Sequence, residues 1–440
     1  MTPPQHLPQH LTVRGPEDIL GFIPHSLGYW PADSLVAMTL HGKRLGATLR
    51  LDLPGPEVLA DPSGYARTVR DYLRADHGAD AALLVFFTND TWMEPPGTYT
   101  GTHTDLLAAL KAVLGTAGMP VRDAWYVGDA YWRDAHCTDH SCCPLPGRPI
   151  EDIRDSRLNA EMVFRGSSVG PAPEDARRRG LVSSEDKAAL LAAEAGWSAQ
   201  LDPRRRSRPQ FDALLAFWEG LLSSAPAEVL PAEVPAGHQA FLRASLQVPA
   251  WRDAVLVMAA AGAGTALAGA EHFGIFDAGC VLPPVGPPAA SLSGSGPGVV
   301  PDCAPDSVTV PAPEPGPALL PGSNPSRPDD APDVPGYGDV LLGLKPAIPD
   351  WSRLHRLDHI LEQLSPWGGQ ASAAALTGRG WISWCRGRGS YAAAYLGEAL
   401  EEEEGYRLAE LMLELVRRGT LCGWAARKEA AWQKFEPDAA

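Results

Sequence analysis

Apolar residues in the first part of the chain follow the spacings of strands covered by other elements. The run DSLVAMTL, Asp33–Leu40, is almost continuously apolar, as expected for a strand buried on both faces. In the next run, RLGATLRLDL, every second residue is apolar, at Leu45, Ala47, Leu49 and Leu51. The HGK between the two runs is typical of a turn, so the pattern predicts a hairpin.

The following segments alternate between helical and strand patterns. The spacing predicts a first helix from Pro16 to about Leu27, where Pro16 suits the first helical position. Further helices are predicted at Ser63–Asp76 and Thr104–Thr116, and strands at Ala81–Thr88 and Asp123–Val127, with AYWRD returning after a turn. We therefore predict an α/β domain over residues 11–150, with a mixed sheet and helices packed on it.

Strand patterns are absent beyond residue 150. We predict a helical extension over residues 151–280 and a helical C-terminal region over residues 336–440. The uncharged stretch Ala254–Ala270 is shorter than the roughly 20 residues that span a bilayer, so we interpret it as a buried helix and expect no membrane partner.

Proline marks a break between these two helical regions. Sixteen of the 43 prolines lie between Val281 and Pro335, mixed with Ser, Gly and Asp. Such a composition cannot bury enough apolar surface to offset the entropy of ordering the chain. Residues 281–335 are therefore predicted to be a disordered Pro-rich linker.

The net charge of −16 opposes binding to a phosphate backbone. Two basic runs, Arg177–Arg179 and Arg204–Arg208, are interpreted as solvated loop edges, so a nucleic-acid partner is not expected. The phosphate-binding pattern GxxxxGK[ST] is also missing from the sequence. A protein or a small molecule remains the partner class that the composition allows.

The stretch HCTDHSCCP contains three of the seven cysteines and is the strongest candidate for chemistry. Cys137, Cys142 and Cys143 could bind zinc as thiolates, and either His136 or His140 could complete a tetrahedral set. The C-x4-CC spacing differs from the usual C-x2-C pattern, and adjacent residues tend to point apart.

Two other interpretations of this stretch stay open. Cys137 could form a disulfide with Cys142 or Cys143, or the thiols could pack a turn bounded by prolines. Cys385 and Cys422 lie in apparent helices and are expected to be small buried groups. An odd cysteine count, together with an N-terminus lacking a signal pattern, predicts a reducing, cytoplasmic location.

A second candidate site follows the buried strand at Ala81–Thr88. Thr88, Asn89 and Asp90 come directly after its apolar run, at a position where open α/β sheets collect ligands. These residues could line a small-molecule pocket or simply initiate a turn, since Asn and Asp commonly do so.

Four motifs, in order along the chain, resemble the actinobacterial family catalogued as domain of unknown function 4192. They are PEDILGFIPHSLGYWPADSLVAMTL, RLDLP, CTDHSCCPLPG, and the C-terminal segment from WISWCRGRGSYAAAYL to LVRRG. The resemblance implies an actinobacterial source and one family unit from about Leu11 to Gly419. It implies no reaction, ligand or catalytic residue.

Function therefore stays between two hypotheses. The first is a cytoplasmic binding or regulatory protein, since catalytic signatures are missing from the sequence. The alternative is an enzyme, such as a metal-assisted hydrolase, in which the cysteine-rich loop and the strand end at Thr88–Asp90 converge on one pocket.

Overall fold

The computed structural model describes residues 11–59, 61–88, 100–137, 139, 141–173, 183–223, 233–280, 282–287 and 336–432. The chain divides into two compact units. Unit 1 comprises Met1–Ala188, Leu342–Pro349 and Leu361–Ala440, and unit 2 comprises Ala189–Leu341 and Asp350–Ile360. The division into four consecutive regions along the sequence stays a prediction.

Unit 1 contains a six-stranded mixed sheet, which confirms the predicted fold class. Its strands are β1 (Ser34–His41), β2 (Arg44–Asp52), β3 (Ala81–Phe87), β4 (Val121–Val127), β5 (Tyr131–Asp134) and β6 (Arg148–Pro149). They lie in the order β2-β1-β3-β4-β5-β6. Only β3 and β4 pair in parallel, and each of the other neighbouring pairs is antiparallel.

Helices cover both faces of the central strands, which explains their uninterrupted burial. The helices of the N-terminal region are α1 (Pro16–Leu27), α2 (Pro56–Leu59), α3 (Pro62–Leu73), α4 (Thr100–Thr116), α5 (Glu151–Arg154) and α6 (Arg157–Phe164). Val36 and Val85 share a core with Ile23 of α1 on one face. Leu84 on the other face shares a core with Leu110 of α4. Successive residues of a strand therefore contribute to two different cores, one on each face of the sheet.

The next helices are α7 (Ser184–Leu201), α8 (Arg208–Ser223), α9 (Ala236–Leu246), α10 (Pro249–Ala261), α11 (Ala263–His272), α12 (Tyr337–Leu341) and α13 (Trp351–Leu364). The single buried helix expected over Ala254–Ala270 is wrong. Gly262 has a φ of 89°, which an L side chain rarely adopts, and it ends α10 before α11 starts. Of the helices that the structure describes, none is long and apolar enough to cross a membrane.

The C-terminal helices belong to the same unit as the sheet. They are α14 (Gly369–Cys385), α15 (Gly389–Glu402) and α16 (Arg407–Arg417). The Tyr391 ring of α15 packs edge-on against Tyr29, with 5.3 Å between ring centroids, and its hydroxyl lies 3.4 Å from the carbonyl oxygen of Pro171. The helical region therefore completes the α/β unit.

Most of the predicted linker, including residues 288–335, lies outside the described residues. Its described beginning, residues 282–287, is bound to α8. The Gln210 side chain donates to the carbonyl oxygen of Val285 at 2.8 Å and accepts from the Val285 amide at 2.7 Å. The ordered contacts of unit 2 thus extend past residue 281, where the linker was expected to begin.

Candidate metal centre

The cysteine-rich stretch forms the connection between two strands at the edge of the sheet. β5 pairs antiparallel with β4, and β6 then pairs antiparallel with β5 through Tyr131↔Pro149 and Trp132↔Arg148. Both ends of the connection are therefore held by strand hydrogen bonds. Residues 135–147 form the loop that joins these two strands at the edge of the sheet.

A carboxylate at the end of β5 orders the first half of the loop. Asp134 Oδ1 accepts from the backbone amides of His136 at 2.6 Å and Cys137 at 3.0 Å. Arg133 Nη2 donates to the carbonyl oxygen of Cys137 at 3.1 Å. These bonds fix the backbone of the first cysteine.

A second aspartate organises the turn that carries the other two cysteines. The Asp139 carbonyl oxygen accepts from the amides of Cys142 at 3.1 Å and Cys143 at 2.8 Å. The Asp139 carboxylate accepts from the Ser141 amide and hydroxyl at 2.8 and 2.7 Å. The tight turn lets two adjacent cysteines approach the same partner, which their spacing in the sequence did not suggest.

The three thiols form one cluster on the surface. The Sγ atoms of Cys137, Cys142 and Cys143 all lie within 4.8 Å of one another. Zinc–sulfur bonds of about 2.3 Å require neighbouring sulfurs about 3.8 Å apart in a tetrahedral site, so a contraction of about 1 Å would suffice. Cys142 is exposed, and the other two are half-buried, so an ion could reach them from solvent.

Hydrogen bonds between the thiols shift the pKa values of Cys137 and Cys143 in opposite directions. The Cys143 thiol donates to Cys137, which lowers the pKa of Cys137, and the bond from the Asp139 backbone has the same effect. The same thiol contact, followed by burial, raises the pKa of Cys143 to about 12. Cys137 is therefore the first thiolate of the cluster and the natural point of attachment for a thiophilic ion.

The two histidines proposed as zinc ligands do not extend this cluster among the residues that the structure describes. His136 Nδ1 lies 3.4 Å from Lys111 Nζ of α4, and His136 is not one of the clustered groups. His140 lies outside the described residues. The described part of the loop thus offers three sulfur ligands.

The second predicted site is only partly described. Thr88 follows β3, and its amide donates to the carbonyl oxygen of Val127 at 2.8 Å. Its hydroxyl is buried without a hydrogen-bond partner among the described residues. Asn89 and Asp90 lie outside the described residues, so the predicted pocket at this strand end stays a prediction.

The cysteine loop leaves the sheet beside the middle of β4, whereas Thr88 follows the last residue of β3. Because β5 runs antiparallel to β4, the chain at the end of β5 runs toward the side of the sheet where β3 and β4 begin. Asp134 pairs with Trp125, and the amide of Ala135 donates to the carbonyl oxygen of Ala124. Thr88 lies where β3 ends, and since Asn89 and Asp90 lie outside the described residues, the shared pocket of the enzyme hypothesis stays a prediction.

The basic run at Arg204–Arg208 is engaged within the protein. Arg208 contacts Asp212 at 2.8 Å and Glu271 at 2.5 Å, and Arg205 contacts Asp202 at 2.8 Å. Arg204 and Arg206 donate to backbone carbonyl oxygens. The other basic run, Arg177–Arg179, lies outside the described residues.

Together these features define an α/β protein with a cysteine cluster at the edge of its sheet. A family model described as "Domain of unknown function (DUF4192)" matches residues 16–292, which is more than half of the chain. The chain therefore belongs to the DUF4192 family. The match includes the whole sheet and the cysteine loop, and it ends before the C-terminal motif on which the resemblance also relied. No curated protein and no solved structure matches the chain.

Proposed function

We propose that this DUF4192 protein is a cytoplasmic binding protein whose cysteine loop takes up a thiophilic metal ion, with Zn²⁺ as the reference ion. The observation that carries the proposal is the approach of three Sγ atoms to within 4.8 Å of one another. Thiolate ligands favour zinc and copper(I) over hard cations such as Mg²⁺. The aspartate-ordered backbone holds the cysteines near one another before an ion arrives.

The three thiols that the described part of the loop supplies favour an open rather than a closed site. Structural zinc sites use four protein ligands, whereas three protein ligands leave one position to an exogenous group. Cys137, Cys142 and Cys143 would hold the ion, and the exposed side of Cys142 would admit the fourth ligand. Because the loop joins β5 to β6, binding would also tighten the edge of the sheet, which suits a regulatory role.

The proximity of the thiols is the reason for proposing a cytoplasmic location. Thiols contact one another within the loop and again between Cys385 and Cys422. An oxidising compartment converts such neighbouring thiols to disulfides. A reducing compartment keeps the loop able to bind metal.

Metal-assisted hydrolysis is the second candidate function, and the observation that favours it is that the described residues bring three thiols together, one fewer than a closed zinc site uses. A catalytic zinc site keeps such a position for the water that it activates. The zinc-loaded protein would then hydrolyse a chromogenic ester faster than the zinc-free protein. Equal rates would leave metal binding without catalysis.

Zinc uptake tests the proposed function directly. The reduced full-length protein is titrated with Zn²⁺ against a chromophoric chelator, and about one equivalent should bind. Replacing Cys137, Cys142 or Cys143 by Ser should weaken binding by at least about tenfold. Affinity should also fall as pH falls, because protons compete with the metal for the thiolates.

Cys280→Ser is the matched control, since Cys280 is also half-buried and free but lies in unit 2. It should bind zinc like the wild type. Circular dichroism of each variant checks that the fold is retained. An absence of zinc uptake by the reduced protein, or an equal loss in the Cys280 variant, would contradict the proposal.

A further inference from the structure

A cavity in unit 2 combines apolar walls with a single carboxylate. It has a volume of about 400 Å³, within the range of small-molecule sites. Its walls come from α10, α11, the turn that follows α11, and α12. Apolar side chains supply most of the lining, and Asp253 of α10 supplies the carboxylate.

Asp253 keeps part of its hydrogen-bonding capacity for a ligand. Its Oδ1 atom accepts from Arg252 Nε at 2.8 Å and lies 2.7 Å from Arg252 Nη2. No described residue donates a hydrogen bond to Oδ2. Burial raises the pKa of the Asp253 carboxyl, and the neighbouring Arg252 opposes this effect. The Asp253 side chain is nevertheless 28% exposed, so Oδ2 is accessible to a ligand, and a cation in the cavity would stabilise the ionised form further.

Two aromatic rings in an edge-to-face arrangement line the same cavity as this carboxylate. The centroids of Phe273 and Tyr337 are 5.6 Å apart, with an interplanar angle of 71°. Tyr337 is buried, and its hydroxyl donates to the Ala266 carbonyl oxygen at 2.5 Å, which fixes its ring. Phe273 is 62% exposed and forms the rim of the cavity.

Aromatic rings and a carboxylate that line one cavity together attract a positive charge. The π-face of an aromatic ring attracts cations, and organic ammonium groups are the ligands that such rings recognise in proteins. The apolar walls would accept the uncharged body of the ligand. A hydrated metal ion would find neither enough oxygen ligands nor a polar wall here.

We propose that this cavity is a binding site for a small organic cation, an ammonium group attached to an apolar body. The ammonium group donates to Asp253 Oδ2 and lies against the rings of Phe273 and Tyr337. The apolar body fills the space between Ala250, Ala270 and Leu341. The site is independent of the cysteine loop, which lies in unit 1.

Three probes of similar size separate charge from shape. Phenethylammonium carries a charge and hydrogen-bond donors, 2-phenylethanol carries a donor without charge, and benzyltrimethylammonium carries a charge without a donor. Calorimetry or ligand-observed NMR on the full-length protein should show both cations binding about three- to thirtyfold more tightly than the alcohol. Equal affinity for all three, or no binding of any, would overturn the proposal.

Two variants test the cavity itself. Asp253→Asn keeps the shape but removes the charge, so the preference for cations should disappear. Phe273→Leu should weaken binding of both cations about threefold or more and leave 2-phenylethanol nearly unchanged, because it removes a ring from the cavity lining but keeps an apolar side chain. Since Phe273 is 62% exposed, this second variant should fold even if the first does not. Unchanged cation binding in a folded Phe273→Leu variant would contradict the proposal.

Discussion

At the scale of single residues, one half-buried carboxylate joins the hairpin to α3. Asp76 lies just beyond α3, and its carboxylate accepts from the Thr39 hydroxyl and from the Ala47 amide at 3.1 Å. His41 Nε2 lies 3.0 Å from both carboxylate oxygens. Burial alone would raise the pKa of Asp76, but these hydrogen bonds outweigh it and the pKa is lowered. The ionised form therefore stabilises the folded state.

Replacement of Asp76 should change both stability and its dependence on pH. Asp76→Asn should lower the free energy of unfolding near neutral pH by about 1–3 kcal/mol, because charged acceptors make the stronger hydrogen bonds. A lowered folded-state pKa gives stability that is present above the unfolded pKa of about 4 and lost as pH falls through the folded-state value. The wild type should therefore lose its advantage over the variant in acid. Urea unfolding at several pH values measures this difference.

Asp71 provides the control for this experiment. It lies on α3 and pairs with Arg70 at 2.7 Å, but its side chain is 61% exposed. Exposed pairs contribute less than about 1 kcal/mol, so Asp71→Asn should change little at any pH. If the Asp76 and Asp71 variants unfold alike, the network around Asp76 has no special role.

At the scale of elements, a buried ion pair joins two helices of unit 2. Arg243 of α9 is fully buried, and its Nε donates to Glu194 Oε2 of α7 at 2.6 Å. Gln247 Nε2 donates to the other oxygen of Glu194 at 2.5 Å. Each buried charge is therefore stabilised by a polar group on the other helix.

Replacing one member of this pair should lower the free energy of unfolding more than replacing both members. Arg243→Met should lower the free energy of unfolding by about 3–5 kcal/mol, because Glu194 is left charged in the interior. The double variant with Glu194→Leu should regain most of that loss, since two apolar residues need no partner. Chemical denaturation of the wild type, both single variants and the double variant gives the coupling energy. Additive losses would show that the two side chains act independently.

At the scale of the whole molecule, unit 1 is assembled from three separate segments. The short segment Leu342–Pro349 is bound to the region that follows α16. The Leu342 carbonyl oxygen accepts from the Gly423 amide at 3.0 Å, and the Pro346 carbonyl oxygen accepts from Trp424 Nε1 at 2.8 Å. These contacts fix a segment that has no regular secondary structure of its own beyond residue 342.

Gly343 is a position at which this assembly leaves no room for a side chain. Its φ is +72°, and a Cβ there would lie 2.2 Å from Cys422 Sγ. Gly343→Ala should therefore lower the free energy of unfolding by at least about 2 kcal/mol, through the clash and the strained backbone. Adding Cys422→Ala should recover part of this loss. Gly389→Ala, where a Cβ meets no atom within 4 Å, is the control and should be neutral.

Equal thermal stability of the Gly343 and Gly389 variants would contradict this account. So would a Cys422→Ala change that gives no recovery, because the clash with sulfur would then not be the cause.

Local patterns predicted much of the fold because they depend on neighbouring residues. The start of α1 at Pro16 and the extent of β3 follow from the sequence, since proline suits the first turn and a doubly covered strand is apolar throughout. Gly262 was the local signal that could have divided the predicted helix at Ala254–Ala270. The helix expected at Cys422 is wrong, because α16 ends at Arg417.

The sites depended on contacts that the sequence does not display. The clustering of Cys137 with Cys142 and Cys143 needed the turn at Asp139, and the unpaired Cys385 and Cys422 contact each other across 37 positions. The cavity around Asp253 required Tyr337, which lies beyond the predicted linker. No periodic pattern in the sequence indicates any of these contacts.

By itself, the sequence determined the α/β class, most helices and strands, the family and the cysteine stretch that is the candidate site, because periodicity, turn residues and side-chain chemistry are local properties. Only the tertiary structure decided that the C-terminal helices share a unit with the sheet, that the three loop thiols come together, and that Asp253 lines one cavity with Phe273 and Tyr337. Such juxtapositions arise from packing between residues distant in sequence, and that packing is set by the burial of the whole chain.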